Sequence, residues 1–302
     1  SSGFSNAAKS QNEKWPDMKI GMNLLLWTGH VEEEHVPILK AIKATGFDGV
    51  EVPIFDPSDV GHFTKLGAIL DDIGLERTAV ALIPDEAHSP ISPDSAARQG
   101  GVDHLNRVID CAQALSAQAL VGPYYQPLGV FSGEGPTEAE LDRCAGVHRA
   151  VAGKARAAGL ICALEPLNRF ESYLLNTCEQ SSAYLDRLGE DGFGILYDTF
   201  HANIEEKDPL GALHAAYAKG HVNHVHISEN DRGTPGRGHA KIRETIAALK
   251  ALDYDGWLTI EAFGKALPEL AAATKVWRDF FANPEEVYTE GYSYIRKCWD
   301  AA

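Results

Sequence analysis

The chain has 302 residues, of which 44% are hydrophobic and 23% are charged, a balance typical of an ordinary soluble globular protein. Its net charge of −16 argues against a broad nucleic-acid-binding surface, because the phosphodiester backbone is also negative. No stretch approaches the roughly 20 apolar residues that a membrane helix needs. Neither a nucleic acid nor a membrane is therefore an expected partner.

The N-terminal segment 1–17, SSGFSNAAKSQNEKWPD, is polar and lacks the apolar core of a secretory signal peptide. We interpret it as an expression leader or a disordered tail, separate from a single domain over 18–302. The five cysteines are odd in number and scattered, with no CxxC pair. This pattern indicates no disulfide framework and favours a reducing, cytoplasmic location.

From Met18 onward, short apolar runs alternate with amphipathic helical stretches, as in a parallel sheet whose strands are buried on both faces. The predicted strands are 19–26, 49–55, 77–83, 118–125, 161–167, 193–200, 222–228 and 257–263. The predicted helices are 37–46, 67–74, 108–117, 149–159, 183–189 and 242–256.

Eight such units in one chain predict an α/β fold, a (β/α)8 TIM barrel forming a single domain. An open doubly wound sheet is the alternative, weakened because no GxGxxG follows the first strand. The last segment, 277–302, predicts a C-terminal helical extension of one or two helices that covers the outside of the barrel or forms an oligomer contact.

The last four predicted strands each carry a metal-capable residue at or near the C-terminal end. These residues are Glu165, Asp198, His226 and Glu261. Barrel enzymes build their active sites at this end, and neighbouring strands place their ends side by side. One such residue alone is more often a helix cap or a hydrogen-bonded core residue. Four in succession predict that a single divalent ion is bound by all of them.

Three carboxylates and one imidazole form a ligand set dominated by hard oxygens. This set favours Mn²⁺, with Mg²⁺ or Co²⁺ also possible, over a structural zinc that prefers Cys and His. An ion at this site would polarise a carbonyl group and an adjacent hydroxyl as a Lewis acid. A neutral polyol or sugar is the kind of molecule that suits it.

Further side chains follow the same strands closely in sequence. Glu171 follows Glu165, His201 follows Asp198, and Arg232 follows His226. Aromatic residues, including Trp27 and Tyr125, end predicted strands one and four, where they are suited to line a sugar site. Packing in the core or at the rim is an equally good reading of these aromatic residues.

The segments EPLNRFE, DTFHANIEE, HVHISENDR and IEAF resemble the ketose 3-epimerase family of the xylose isomerase-like barrels, which includes the D-tagatose, D-allulose (psicose) and L-ribulose 3-epimerases. The resemblance extends from about Lys19 to the C-terminus and is dense from Glu165 to Phe263. GPYYQPLG lacks a Trp that some members have, so the substrate is not fixed by the resemblance.

The resemblance implies a homodimer or homotetramer that acts on a ketose, and it assigns a role to each residue of the site. Glu165, Asp198, His226 and Glu261 would bind the metal, and Glu165 and Glu261 would also be the two acid–base carboxylates. Glu171, His201 and Arg232 would hold the carbonyl end of the ketose.

The chemistry expected from the residues agrees with these roles. Inverting carbon 3 of an unphosphorylated ketose requires one carboxylate to remove a proton and another to return one, through an enediolate that a metal stabilises. The predicted activity is a ketose 3-epimerase of the isomerase class, on substrates of the D-allulose/D-fructose, D-tagatose or L-ribulose type.

Other classes stay open at this point. An aldose–ketose isomerase, such as a hydroxypyruvate isomerase, would use the same barrel and metal, as would a dehydratase or an enzyme that processes 3-keto-glycosides. A non-catalytic sugar-binding module would not need two carboxylates at one metal.

Overall fold

The structure is a computed structural model that describes residues 18–302. The segment 1–17, predicted from sequence to be a leader or a tail, lies outside the described residues. The five cysteines all fall within the described part and are buried free thiols, as the scattered spacing predicts.

Eight parallel strands pair in chain order and close into a barrel, which confirms the predicted (β/α)8 fold. The strands are β1 Lys19–Asn23, β2 Gly49–Pro53, β3 Glu76–Val80, β4 Ala119–Gly122, β5 Ile161–Leu164, β6 Phe193–Asp198, β7 Val222–Ile227 and β8 Trp257–Ile260. Their apolar side chains are buried, some inside the barrel and others against the surrounding helices.

The helices follow the strands around the barrel. They are α1 Val36–Thr45, α2 Val60–Ile73, α3 Ser95–Ala114, α4 Glu138–Ala157, α5 Cys178–Leu188, α6 Thr199–Glu205, α7 Pro209–Ala218, α8 Ile242–Ala251, α9 Pro268–Thr274 and α10 Pro284–Ala301. Within residues 18–302, none of these helices has the length and apolar character required to cross a bilayer.

All eight predicted strands extend one to three residues past the observed C-terminal ends, and β6 and β4 show the reasons. β6 ends at Asp198, because the Asp198 carboxylate accepts a hydrogen bond of 2.7 Å from the backbone N–H of Phe200 and starts α6. The prediction that Thr199 and Phe200 continue the strand is therefore wrong. β4 ends at Gly122, whose φ of 134° directs the chain away from the sheet.

The C-terminal extension contains α10, which packs against α8 and α1 on the outside of the barrel. Gly291 permits a close approach, since a Cβ there would lie 2.8 Å from Ile260 Cδ1 at the end of β8. The expectation that this extension covers the barrel is confirmed.

The pairing of the strands sets which side chains meet inside the barrel. Asn23 lies beside Glu51 and Glu51 beside Thr78 across β1 to β3, while Asp198 lies beside His226 across β6 and β7. Polar residues of distant sequence segments therefore share two adjoining layers of the barrel interior.

Candidate metal centre and active site

Four side chains at the C-terminal ends of β5 to β8 form one buried cluster. Glu165 and Glu261 directly follow β5 and β8, Asp198 ends β6, and His226 is the next-to-last residue of β7. One nitrogen or oxygen atom from each lies within 4.8 Å of the others. The structure therefore brings together the four residues that the sequence predicts as metal ligands.

The cluster fits a divalent ion because its inward-facing atoms lack other partners. His226 Nδ1 and Asp198 Oδ2 are buried without a hydrogen bond. His226 Nδ1 lies 3.3 Å from Glu261 Oε2 and 3.7 Å from oxygens of Glu165 and Asp198. Atoms that bind one ion at about 2.1 Å are separated from each other by roughly 3 Å. A cation would satisfy lone pairs that otherwise cost several kcal/mol when buried.

Negative charge is distributed unevenly over this cluster. Burial, and then the neighbouring Glu261 carboxylate, raise the pKa of Glu165 to about 7. Burial also tends to raise the pKa of Asp198, but His226, His201 and Arg232 outweigh it and hold that pKa below its usual range. Crowded carboxylates of this kind are the arrangement that a bound divalent cation stabilises.

A hydrogen bond at one ring nitrogen of His201 orients the second ring nitrogen toward Glu165. Its Nδ1 accepts a hydrogen bond of 2.9 Å from the backbone N–H of Asn168. In a neutral ring, Nε2 therefore carries the proton, and Nε2 lies 3.2 Å from Glu165 Oε1. The side-chain amide of Asn168 in turn donates a short hydrogen bond to Glu171. Two of the predicted substrate residues thus flank Glu165.

Arg232 flanks the other candidate acid–base residue. Its Nη1 donates hydrogen bonds to Glu261 Oε1 at 2.9 Å and to Ser228 Oγ at 3.0 Å. The guanidinium carbon lies 3.6 Å from the centre of the Phe200 ring, and the Nε atom is buried without a partner. Arg232 also has a φ of 66°, an uncommon backbone conformation for a residue other than glycine.

A small cavity of about 50 Å³ lies directly over the cluster. Its polar side chains come from the second half of the barrel, and the first half contributes only apolar side chains. The polar wall is Glu165, Glu171, His201, Arg232 and Glu261, and the apolar wall includes Leu25, Phe55, Val80, Ala81, Leu82, Pro123 and Leu128. Leu167 and Phe263 also line the cavity, as do Leu270 and Thr274 of α9, so this short helix borders the cavity.

The two aromatic residues predicted to contact substrate lie elsewhere. Trp27 packs against Tyr288 of α10, with ring centroids 5.9 Å apart. Tyr125 is fully buried, and its hydroxyl contacts the carbonyl oxygens of Glu165 and Leu175 at 2.8 and 3.1 Å. The structure therefore does not bring Trp27 and Tyr125 together with the polar wall; Tyr125 supports the backbone of a predicted metal ligand.

Sequence reasoning assigned no role to several residues that belong to the site. Phe200 and Phe263 face the Arg232 guanidinium, and Leu270 lines the cavity. Glu51 is buried under the cluster and accepts hydrogen bonds from His224 and His226. Its signal in the sequence is a carboxylate within the otherwise apolar strand GVEVP.

Comparisons with known proteins agree with this geometry. Residues 39–298 match the family model described as xylose isomerase-like TIM barrel. The chain is 34% identical over 283 residues to a ketose 3-epimerase of Arthrobacter globiformis, covering 92% of this chain and 96% of that one. It is 32% identical over 286 residues to a probable ketose 3-epimerase of Synechocystis sp., covering 94% and 98%.

Among solved structures, an L-ribulose 3-epimerase superimposes with a TM-score of 0.87 at 30% identity, covering 94% of this chain and 95% of that one. The resemblance seen in the sequence motifs is thus confirmed along nearly the whole chain. The chain belongs to the xylose isomerase-like TIM barrel family and, within it, to the ketose 3-epimerases.

Proposed function

We propose that the protein is a metal-dependent epimerase that inverts carbon 3 of an unphosphorylated ketose. The observation that carries the proposal is that Glu165 and Glu261 belong to one metal-capable cluster and line the same cavity. The names of the relatives, ketose 3-epimerase and L-ribulose 3-epimerase, support the same reaction type.

The acid–base roles follow from where the two carboxylates lie. Glu165 comes from β5 and Glu261 from β8, on separate parts of the barrel rim. One removes the proton from carbon 3 while the bonding electron pair moves toward the carbonyl oxygen, and the other delivers a proton to the opposite face. His201 lies beside Glu165 and Arg232 beside Glu261, so each carboxylate has its own donor that holds its orientation.

Glu165, Asp198, His226 and Glu261 would hold the metal ion. Mn²⁺ suits three carboxylates and one imidazole, and Mg²⁺ or Co²⁺ would be accepted by the same donors. When bound, the ion supplies positive charge to the oxygens of the substrate where negative charge develops. Glu171, His201 and Arg232 bind the carbonyl end of the ketose and exclude water from it.

The remaining lining supports a free sugar as the substrate. The part of the cavity wall formed by Leu25, Phe55, Leu82 and Leu128 is apolar. A phosphate group would need cationic or backbone N–H partners, which these side chains do not provide. We extend the proposal to a cytoplasmic enzyme, supported by the five buried free thiols, and to a homodimer or homotetramer, as the resemblance implies.

The test is to incubate the Mn²⁺-loaded enzyme in D₂O with D-fructose, D-tagatose, L-ribulose and their phosphate esters. We expect the 3-epimeric ketose, with deuterium at carbon 3, from the free sugars only. Chelation should abolish turnover, and added Mn²⁺ should restore it. An aldose product would instead identify an aldose–ketose isomerase. Absence of carbon-bound exchange would identify a binding protein.

A further inference from the structure

The barrel interior beneath the metal cluster is polar. Asn23, Glu51, Thr78 and His224 lie there, and each exposes 1% or less of its surface. The interior of such barrels is usually filled by Val, Ile and Leu. A buried carboxylate is costly unless several hydrogen bonds compensate it. Glu51 therefore requires a specific explanation.

Both oxygens of Glu51 are fully engaged. Oε1 accepts from Thr78 Oγ1 at 3.1 Å and from His224 Nε2 at 2.9 Å. Oε2 accepts from Asn23 Nδ2 at 2.6 Å and from His226 Nε2 at 2.6 Å. The donors belong to β1, β3 and β7, so the carboxylate is held from three strands and cannot rotate without losing bonds.

The bond to His226 determines which ring nitrogen faces the cluster. Because Nε2 points at Glu51 Oε2, a neutral ring carries its proton on Nε2 and its lone pair on Nδ1. Nδ1 is the buried atom without a partner, 3.3 to 3.7 Å from the three carboxylates. A carboxylate that accepts from the outer nitrogen of a metal-binding histidine fixes the ring and its tautomer.

We propose that Glu51 is a positioning residue for the metal centre: it holds His226 so that Nδ1, and not Nε2, binds the ion. The inference rests on the metal dependence included in the proposed function, but not on the reaction. A strand without a metal ligand, β2, thereby controls a ligand on β7. Glu51 itself lies outside the lining of the cavity over the cluster.

Mn²⁺ binding to the metal-free protein, measured by calorimetry without substrate, tests the proposal. We expect Glu51→Gln to raise the dissociation constant about 10- to 100-fold, the range found when such partners are removed. The matched control is Thr78→Val, which removes a donor to the other oxygen of Glu51 and should change the constant less than about 3-fold. Unchanged binding in Glu51→Gln, or equal losses in both variants, would overturn the proposal.

A second measurement keeps the test decisive if Glu51→Gln does not fold. Nitrogen NMR of the Mg²⁺-loaded wild type should show that His226 has a protonated Nε2 and an unprotonated Nδ1. The signals of His226 are identified by their loss in His226→Gln. A proton on Nδ1 would refute the assignment. Neither measurement depends on turnover. A protein that binds Mn²⁺ as described but epimerises no ketose would therefore contradict the proposed function and leave the role of Glu51 intact.

Discussion

The two halves of the barrel rim differ sharply in chemistry. The ends of β5 to β8 carry Glu165, Asp198, His226 and Glu261, whereas the cavity wall from the loops after β1 to β4 is apolar. The polar half places charge and proton donors around one point. The apolar half offers shape and exclusion of water. From this difference we expect the reaction type and the choice of sugar to depend on separate parts of the sequence.

The largest effect is expected in the polar half. In the proposed mechanism, Glu165→Gln or Glu261→Gln removes a proton-transfer group and one negative metal ligand at once. Since general acid–base catalysis alone contributes about 100- to 10,000-fold, we expect kcat to fall by at least about 1,000-fold, with an unchanged circular dichroism spectrum. Glu179→Gln, at an exposed position, is the control. Near-normal turnover in either variant would contradict the two-carboxylate mechanism.

An intermediate effect is expected when Arg232 is replaced by lysine. The guanidinium bridges Glu261 and Ser228 and stacks on Phe200, and an ammonium group cannot reproduce this planar geometry. We expect kcat/KM to fall about 10- to 100-fold in steady-state assays. Arg169→Lys, at an arginine that is 65% exposed, pairs with Glu205 and lies outside the cavity lining, should change it less than about 2-fold. Equal behaviour of the two variants would remove Arg232 from the site.

A smaller effect is expected from Phe55→Ala in the apolar half. Loss of part of an apolar wall costs about 1–3 kcal/mol of binding, so KM should rise roughly 10-fold while Mn²⁺ affinity stays unchanged. Val60→Ala, an exposed position in the same half, is the control. If Phe55→Ala lowered kcat at constant KM, or weakened Mn²⁺ binding, the separation of sugar binding from metal binding and catalysis would be wrong.

The smallest effect on catalysis is expected for His148, a fully buried histidine of α4 outside the rim, which bears on stability instead. Its Nε2 donates to the Tyr124 carbonyl and its Nδ1 accepts from the Tyr184 hydroxyl. Without a carboxylate beside it, burial lowers the pKa of His148 from 6.5 to about 4. The unfolded chain therefore binds the proton first as the pH falls, and the folded state loses stability between these two values.

Within that window, His148 should lower the free energy of unfolding by up to about 1.4 kcal/mol for each pH unit that the pH falls. Urea unfolding of the metal-free protein at several pH values, compared with His148→Gln, measures it. In His148→Gln, the free energy of unfolding should change less steeply with pH. Parallel curves for the two proteins would mean that His148 is already protonated in the folded state.

Much of the fold and the metal cluster could be predicted from the sequence, because both depend on local patterns. Alternating apolar runs and helices specify the barrel, and Glu165, Asp198, His226 and Glu261 each stand at the end of such a run. The turn that begins α6 was misjudged because capping by Asp198 competes with continuation of the strand.

The rest depends on how distant segments meet in space. Glu51 acquires its role only when the barrel closes and places it against His226, 175 residues further along the chain. Tyr125 faces the core because the chain turns at Gly122, which no periodicity reveals. Leu270 reaches the cavity only because α9 follows β8 closely.

The small cavity has a consequence for the rate of the enzyme. Its volume of about 50 Å³ is far below the roughly 300 Å³ at which pockets for small ligands begin. Leu270 also borders a space of about 760 Å³ and Thr274 a space of about 680 Å³, so α9 lies where the small cavity meets both of these larger spaces. A shift of this seven-residue helix would join the three spaces, and a kcat that falls as solvent viscosity rises would show that its motion limits turnover.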